Sequence, residues 1–313
     1  MEIFANGFTQ FDVSGVFYSM LRTNIGFMIA NLPAQYLKLW MSSAAIAIVV
    51  FVGASSASAA PKSDLWPRWD AHDPAATTIV NHAAWIRILE AHLRPHADGV
   101  ARFDYGGMDG RDREALETYI VSLSKVRVSA LNRGEQLAYW INFYNALTVK
   151  TVRDHYPVGS ILKIDISPGF FAIGPWGKKL VTVEGEALSL DDIEHRILRP
   201  IWRDPRIHYA VNCASIGCPN LLPFAYTADQ VDRLLTENAI AYVNHPRGVD
   251  LRNGELTLSN IYDWFQEDFG GSETGVLAHL REYARPEFRT QLRPVLGVTR
   301  YDYDWSLNGV ANP

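Results

Sequence analysis

The chain has 313 residues, of which 48% are hydrophobic and 20% charged. This composition excludes a disordered tail or linker, because such chains are poorer in apolar residues. The formal net charge is −5, from 29 basic and 34 acidic residues, so no positive surplus favours binding to nucleic acid. The two cysteines, Cys213 and Cys218, are too few for a disulfide framework.

The first element along the chain is an uncharged apolar run over residues 39–54, which follows Lys38. The run is shorter than the roughly 20 residues that a membrane-spanning helix needs, and small residues at 57–59 form a cleavage site. We therefore expect a signal peptide over 1–59, in which residues 1–27 are an over-long start before Met28, and a periplasmic or secreted mature protein without a membrane span. An uncleaved membrane anchor is the alternative.

After an irregular arm over 60–76, three helices are predicted, over 78–93, 111–126 and 134–155. The third helix carries apolar residues around its whole axis, a pattern typical of a helix that is buried on most sides. Asn142 and Asn145 lie one turn apart on it. Because a buried amide without partners costs roughly 1–3 kcal/mol, we expect both amides to bond specific groups.

The remaining chain alternates short apolar runs with turn residues, which indicates a mixture of helices and short strands. The patterns first predict a strand at 180–183 that turns at Glu184-Gly185-Glu186, and a helix over 189–202 that begins with the capping box Ser189 and Asp192. A buried strand over 207–213 follows, and then a helix from the capping box Thr227 and Gln230 to Tyr242. The last predicted elements are a hairpin about Asn253-Gly254, helices over 261–269 and 273–284, and a strand within 299–308.

These elements predict a single α+β domain in which the buried central helix packs on a small, mainly antiparallel sheet. Within it, 60–100 form an N-terminal arm and helix. Aromatic and acidic residues alternate over 301–305. On a terminal strand, this alternation favours rings that face the core and acids that face solvent over a carbohydrate-binding patch.

Cys213 ends the predicted strand 207–213 and opens a loop, a common position for a reactive side chain. Three interpretations stay open at this point. Cys213 can form a disulfide with Cys218, since exported compartments are oxidising. It can be a thiolate nucleophile, which needs a lowered pKa and a base within reach. It can also bind zinc together with Cys218 and histidines, although the spacing of the two cysteines is outside the commonest pattern.

His195 and His208 are the candidate bases. Strand alternation places His208 on the opposite face from Cys213, so His195, next to Glu194, is the better candidate. No phosphate-binding loop, dinucleotide fingerprint, serine-hydrolase elbow or zinc-protease motif occurs in the sequence. We therefore expect no cofactor and no metal.

Several segments together resemble one family, known as domain of unknown function 547. They are AYWINFYNALTV at 138–149, IEHRILRP at 193–200, DPRIHYAVNCASIGCPNL at 204–221, SNIYDWFQEDFG at 259–270 and YDWSLN at 303–308. The resemblance covers about 101–310. It implies that Glu194 and His195 belong to the family's signature, and that plant members keep the cysteine of position 213 but have an aspartate at position 218.

The resemblance therefore favours a role for Cys213 that does not depend on a disulfide. We expect a cysteine-dependent hydrolase or acyl transferase that acts on an amide or ester bond in a small molecule, a peptide or the cell envelope. Cys213 would be the nucleophile and His195 the base, and Glu194 or Asp304 would orient the imidazole. Asn142 or Asn145 would stabilise the oxyanion. The alternative is a non-catalytic periplasmic binding or scaffold module with a disulfide between the two cysteines.

Overall fold

A computed structural model describes residues 61–169 and 172–310. The predicted signal peptide over 1–59 lies outside the described residues. The rest of the chain, from residue 60, clusters as one unit. Among the described residues, no helix combines the length and apolar character that a membrane crossing requires.

The longest helix runs through the core as predicted. It spans Arg133–Asp154 and begins after Asn132, whose side chain accepts a hydrogen bond from the backbone N–H of Glu135. Buried residues occur at nearly every position from Glu135 to Val152, which agrees with apolar residues on all sides of the axis. Its neighbours are mainly other helices.

The helices and strands are numbered here in chain order. The helices are α1 (Ala83–His92), α2 (Gly110–Ser124), α3 (Arg133–Asp154), α4 (Arg199–Trp202), α5 (Val231–Val243), α6 (Ile261–Trp264), α7 (Glu273–Tyr283) and α8 (Pro286–Leu292). The strands are β1 (Leu93–Arg94), β2 (Arg102–Phe103), β3 (Val181–Val183), β4 (Glu186–Leu188), β5 (Val249–Arg252), β6 (Glu255–Ser259) and β7 (Arg300–Asp302).

The strands form small sheets in the order β1-β2, β3-β4 and β5-β6-β7. All of these pairs are antiparallel except β6 with β7, which is parallel. The predicted α+β class is therefore confirmed. One hydrophobic cluster surrounds α3, and a second lies among β5, β6, α5 and α7.

The predicted strand over 207–213 is wrong. The segment instead begins with a 3₁₀ helix, Pro205–Tyr209, which the side chain of Asp204 caps by accepting from the N–H of Arg206. Proline in the first turn, with φ already fixed, favours this helical start. The strand-based argument that placed His208 away from Cys213 therefore no longer holds.

Local turn and capping signals have mixed outcomes. Ser189 and Asp192 form the predicted reciprocal capping box. Asn253 and Gly254 both have positive φ values, 54° and 84°, as the predicted tight hairpin requires. By contrast, the side chain of Thr227 donates to Asp229, so the second predicted capping box does not form and α5 begins only at Val231.

Three further boundaries differ from the predictions. The helix predicted over 261–269 ends at Trp264, and the last strand is confined to Arg300–Asp302. Helix α8 (Pro286–Leu292), which no sequence pattern had indicated, starts with a proline in its first turn. Elsewhere, the helix predicted over 189–202 is present but begins as a π-helical segment, Asp192–Leu198, that continues into α4.

Candidate functional site

The loop that carries both cysteines lies against the C-terminal segment of the fold. The N–H of Gly217 donates to the carbonyl of Asp304 at 2.8 Å, and Ser215 pairs with Leu307 in an isolated antiparallel bridge. These backbone bonds fix the loop along residues 304–308. Two regions that are distant in the sequence therefore meet at Cys213.

Cys213 makes close contacts with three polar side chains. Its sulfur lies 2.8 Å from Sγ of Cys218, 3.0 Å from the hydroxyl of Tyr303 and 3.2 Å from the hydroxyl of Ser215. Its backbone N–H also donates to Sγ of Cys218 at 2.8 Å. Both cysteines are free thiols, Cys213 partly exposed and Cys218 buried.

The two thiols ionise differently. Burial raises the pKa of Cys213, but hydrogen bonds from Cys218, Ser215 and Tyr303 outweigh burial and lower this pKa to about 7. Burial, together with its bond to Cys213, raises the pKa of Cys218 well above the ordinary thiol value. Cys213 is therefore the thiol that is substantially ionised near neutral pH, and Cys218 remains a donor.

Ala214, directly after Cys213, has φ +59°. A non-glycine residue in this left-handed region costs roughly 1–2 kcal/mol. Its N–H donates to the side chain of Asn212 and its carbonyl accepts from the N–H of Asn308, so both of its backbone groups are held. Such strain commonly occurs at functional sites.

Glu194 and His195 lie on the π-helical segment Asp192–Leu198, and both are buried. A π-helical turn is rare and is frequent at functional sites. Both residues belong to a group of ionisable side chains with Arg199 and His208, which are also buried, and Asp268, which is partly buried. The sequence prediction therefore identified two members of a cluster that has at least five.

The placement of His195 does not favour its predicted role as the base. Its Nδ1 lies 3.1 Å from a guanidinium nitrogen of Arg199. Because a guanidinium group can only donate, Nδ1 of His195 is the acceptor. Burial, followed by the charge of Arg199, lowers the pKa of His195 well below the ordinary value. The described hydrogen-bond partners of Cys213 do not include His195. The base role remains a prediction that the observed contacts do not support.

His208, Asp268 and Arg199 form the ionic part of the cluster. Oδ2 of Asp268 accepts from Nε2 of His208 at 2.7 Å and from Nε of Arg199 at 2.5 Å. Burial raises the pKa of Asp268, but these two partners outweigh burial and lower it to about 2. The ring of Phe265 stacks on His208 with centroids 4.2 Å apart. Asp268 is thus a fixed anion between two buried donors.

Glu194 interacts with His208 in the ionic cluster and with the charge of Cys213 in the loop. Its Oε1 lies 3.7 Å from Nδ1 of His208. Burial raises the pKa of Glu194 to about 7, against the opposing effects of Tyr144 and Arg199, and the charge of Cys213 contributes to the rise. A carboxyl group with this pKa can both accept and donate a proton near neutral pH.

Asn142 and Asn145 bond backbone groups, as buried amides must. Asn142 donates to the carbonyl of Tyr226 at 2.8 Å and accepts from its N–H at 3.0 Å. Asn145 donates to the carbonyl of Ala210 at 2.9 Å and accepts from the N–H of Asn212 at 2.8 Å. Both amides therefore anchor loops on α3. Their predicted role as oxyanion donors stays a prediction.

Partly exposed aromatic rings border the thiol. Tyr303 packs on Trp264 and Trp305 with centroids 4.9 and 4.7 Å apart, and Trp176 packs on Trp305 at 5.8 Å. Over 301–305 the rings are half-buried and the acids exposed, as the alternating sequence predicts. Asp304, one of the two predicted imidazole-orienting residues, is exposed and accepts from the backbone N–H of Ser306.

Sequence reasoning missed four of the residues that make the site. Tyr303 and Ser215 contact the thiol directly, and Asp268 bonds both His208 and Arg199. The missed signal for Tyr303 was the motif YDWSLN, which belongs to the resemblance but was interpreted as a plain strand. Among the described residues, no group of three or more histidine, cysteine or acidic side chains is arranged to hold a metal ion, so the zinc interpretation gains no support.

The family comparison matches this same region. Residues 128–243 match the family model described as "Protein of unknown function, DUF547". The matched segment is therefore similar to this family. The segment includes α3, Glu194, His208 and both cysteines, whereas Asp268 and Tyr303 lie outside it. No curated protein and no solved structure matches the chain.

Proposed function

We propose that this protein is a cysteine-dependent hydrolase or acyl transferase that acts on an amide or ester bond, with Cys213 as the nucleophile. The observation that carries the proposal is the arrangement at Cys213, a partly exposed residue whose sulfur contacts three hydrogen-bonding side chains. Hydrogen bonds to the charged form favour the thiolate, which is the form that attacks a carbonyl.

In the proposed reaction, the Cys213 thiolate attacks the carbonyl carbon and forms a C–S bond, while the carbonyl electron pair moves to oxygen. The hydroxyl of Tyr303 would donate to this oxyanion, since it is 3.0 Å from the sulfur. Burial and the neighbouring thiols raise the pKa of Tyr303 well above the ordinary value, so its proton is retained. Collapse of the intermediate expels an alkoxide, or an amine whose nitrogen first takes a proton from solvent, and leaves a thioester.

The test is the pH dependence of alkylation by iodoacetamide, with the modified residue located by mass spectrometry. Wild-type protein should be labelled at Cys213 with a midpoint near pH 7, and Cys213→Ala should lose this labelling. Cys218→Ala, which removes the other thiol, should still be labelled at Cys213, with a midpoint above that of the wild type because one hydrogen bond to the thiolate is lost. Alkylation of Cys213 with the midpoint of an ordinary exposed thiol would contradict the proposal.

One observation favours a second candidate, a non-catalytic binding or scaffold module with a Cys213-Cys218 disulfide. The two sulfurs are already 2.8 Å apart, so they could be joined without a large movement of the backbone. Thiol titration of protein purified without reductant separates the two candidates. Two free thiols per molecule would support the enzyme, and the absence of any free thiol would support the scaffold.

We also propose that the protein is exported to the periplasm or secreted after removal of residues 1–59. The support is the uncharged run over 39–54 and the small residues before the cleavage site. The mass of the protein recovered from its native host tests this, because cleavage would leave Ala60 as the first residue. Full-length protein in the cytoplasmic fraction would contradict it.

A further inference from the structure

We propose that Cys213 and Cys218 form a reversible oxidation site, at which a hydroperoxide oxidises Cys213 to a sulfenic acid and Cys218 converts that acid into a disulfide. The inference goes beyond the proposed acyl transfer, because it requires only the two thiols and a small oxidant. It also differs from a structural disulfide, since the dithiol and the disulfide are both folded states of the same protein.

The first argument is that the second thiol already contacts the first. Sγ of Cys218 lies 2.8 Å from Sγ of Cys213, and it also accepts a hydrogen bond from the backbone N–H of Cys213 at 2.8 Å. A disulfide forms only where the backbone allows the two sulfurs to meet. Here they meet before any oxidation, so the second sulfur can attack the first without local unfolding.

Contacts of the surrounding loop hold this arrangement. The N–H of Cys218 donates to the carbonyl of Ser215 at 3.2 Å, and Nδ2 of Asn212 donates to the carbonyl of Pro219 at 2.6 Å. The loop is thus closed twice, by a turn between the cysteines and by an amide that joins the residues on either side of them. Because the two groups are already in place, the bond between them forms with little further loss of conformational freedom.

The second argument concerns the oxygen atom that the oxidant transfers. The hydroxyls of Tyr303 and Ser215 lie 3.0 and 3.2 Å from the sulfur of Cys213 and 2.9 Å from each other. Two hydroxyls beside one sulfur can donate to an oxygen that approaches it, and such donors stabilise the charge that develops as an O–O bond breaks. Cys213 is only partly exposed, so the oxidant that suits this site is a small one, such as hydrogen peroxide.

The reaction has two balanced steps. In the first, the Cys213 thiolate attacks the hydroxyl oxygen of the hydroperoxide, so an S–O bond forms and the O–O bond breaks. The alkoxide or hydroxide that leaves takes a proton from solvent, and the oxidised sulfur is now a sulfenic acid. In the second, the sulfur of Cys218 attacks the sulfur of Cys213. An S–S bond forms, the S–O bond breaks, and the leaving hydroxide takes the proton of the Cys218 thiol and becomes water.

The different ionisation of the two thiols sets the order of these steps. Burial raises the pKa of Cys213, but its hydrogen bonds outweigh burial and lower this pKa to about 7, so Cys213 is the thiol that reacts with the oxidant. Burial, followed by the bond to Cys213 and its charge, raises the pKa of Cys218 well above the ordinary value. The first step consumes the Cys213 thiolate, so Cys218 reacts after Cys213 and not before it.

A dithiol reverses the modification. Its thiolate attacks one sulfur of the disulfide, a mixed disulfide forms, and the second thiol of the reagent breaks that bond and leaves as a cyclic disulfide. Both cysteines return to thiols, and the reagent carries the oxidation away. While the disulfide is present, Cys213 has no thiolate, so iodoacetamide cannot alkylate it and the proposed acyl transfer stops.

The stoichiometry of oxidation in unmutated protein tests the inference without depending on how variants fold. Reduced protein is treated with less than one equivalent of hydrogen peroxide, and the remaining thiols are counted by alkylation in denaturant and mass spectrometry. We expect two thiols to disappear for each peroxide consumed, and dithiothreitol to restore both in the native protein. Thiols that do not react, one thiol lost per peroxide, or a disulfide that dithiothreitol reduces only in denaturant would each contradict the inference.

The role of Cys218 has its own test, with a matched control in the same loop. In Cys218→Ser the sulfenic acid of Cys213 cannot become a disulfide, so dimedone should label it at least about tenfold more than in the wild type, because the intramolecular attack is lost. Ser215→Ala also removes a contact to the sulfur of Cys213 but keeps both thiols, so it should form the disulfide as the wild type does. Equal dimedone labelling of the three proteins would mean that Cys218 does not capture the sulfenic acid.

Discussion

Two buried polar regions of this protein are close in the fold and differ in what their side chains bond. The amides of Asn142 and Asn145 on α3 bond backbone N–H and carbonyl groups. Glu194, by contrast, interacts electrostatically with other ionisable side chains, and burial is the main cause that raises its pKa to about 7. Amides satisfied by the backbone add only rigidity, whereas mutually coupled ionisable groups can move a proton.

The largest expected effect is on the amide side of this comparison. Asn145→Ala leaves the carbonyl of Ala210 and the N–H of Asn212 buried without their partner. At roughly 1–3 kcal/mol for each group, we expect a loss of about 4 kcal/mol in the free energy of unfolding. Urea unfolding followed by circular dichroism measures it.

The matched control for Asn145 lies on the same helix. Thr148 is buried and its hydroxyl has no hydrogen-bond partner, so Thr148→Val removes a polar group that gains nothing from burial. We expect no loss of stability. If Asn145→Ala is equally harmless, the two amides are not the anchors that their contacts indicate.

The next largest effect is the pH dependence of the free energy of unfolding that Glu194 causes. The folded pKa of Glu194, about 7, is above the ordinary 4.5. Its stabilising contribution is therefore complete below pH 4.5 and is lost as the pH rises through 7. The shift corresponds to about 3 kcal/mol. Glu194→Gln should lack this loss, so that its free energy of unfolding relative to the wild type rises over the same window.

Chemical denaturation at several pH values measures this difference. Other groups titrate in the same window, since burial also raises the pKa of Asp191 to about 6 and lowers the pKa of His82 to about 4. Both groups are present in both proteins, so subtracting the two curves removes their titrations apart from the coupling between Asp191 and Glu194. A flat difference curve would mean that Glu194 is already ionised at pH 5.

A smaller effect is expected at the thiol pair. The hydrogen bond of Cys218 to Cys213 is the first of the contacts that lower the pKa of Cys213. Cys218→Ala removes it, so the iodoacetamide rate at pH 7 should fall by up to about tenfold. Cys218→Ser keeps a donor at the same position and should fall less. Identical rates in the two variants would mean that the bond does not stabilise the thiolate.

The smallest effect is expected at His195, the base that sequence reasoning favoured. Because its Nδ1 accepts from Arg199, His195→Asn should change the alkylation rate of Cys213 by less than about threefold at any pH. The pH profile of alkylation measures this. Loss of the titration near pH 7 would restore His195 as the base.

The elements that could be predicted are those with strong local signals. The period of apolar residues identified α3, and the Asn253-Gly254 pair fixed the hairpin of β5 and β6. The strand expected over 207–213 failed because β-prone residues there are held by contacts that come from elsewhere. Asn145 takes the N–H of Asn212, so this backbone pairs with α3 in place of a neighbouring strand.

The same distinction applies to the site. The resemblance identified Cys213, Glu194 and the surrounding motif, because the residue types alone show which side chains can act as a nucleophile or an acid. It could not identify Tyr303 or Asp268 as partners, since they lie 90 residues from Cys213 and 60 from His208, respectively. Contacts at such separations leave no periodic trace in a sequence.

The sequence by itself determined the α+β class and the buried helix α3 with its two asparagines. It also identified the two cysteines as the candidate reactive groups. Only the tertiary structure decided that the two sulfurs lie 2.8 Å apart, that the backbone pairing of 304–308 brings Tyr303 to Cys213, and that Asp268 fixes His208 beside Glu194. The physical reason is that ionisation depends on burial and on neighbouring charges, and both are set by how distant segments pack.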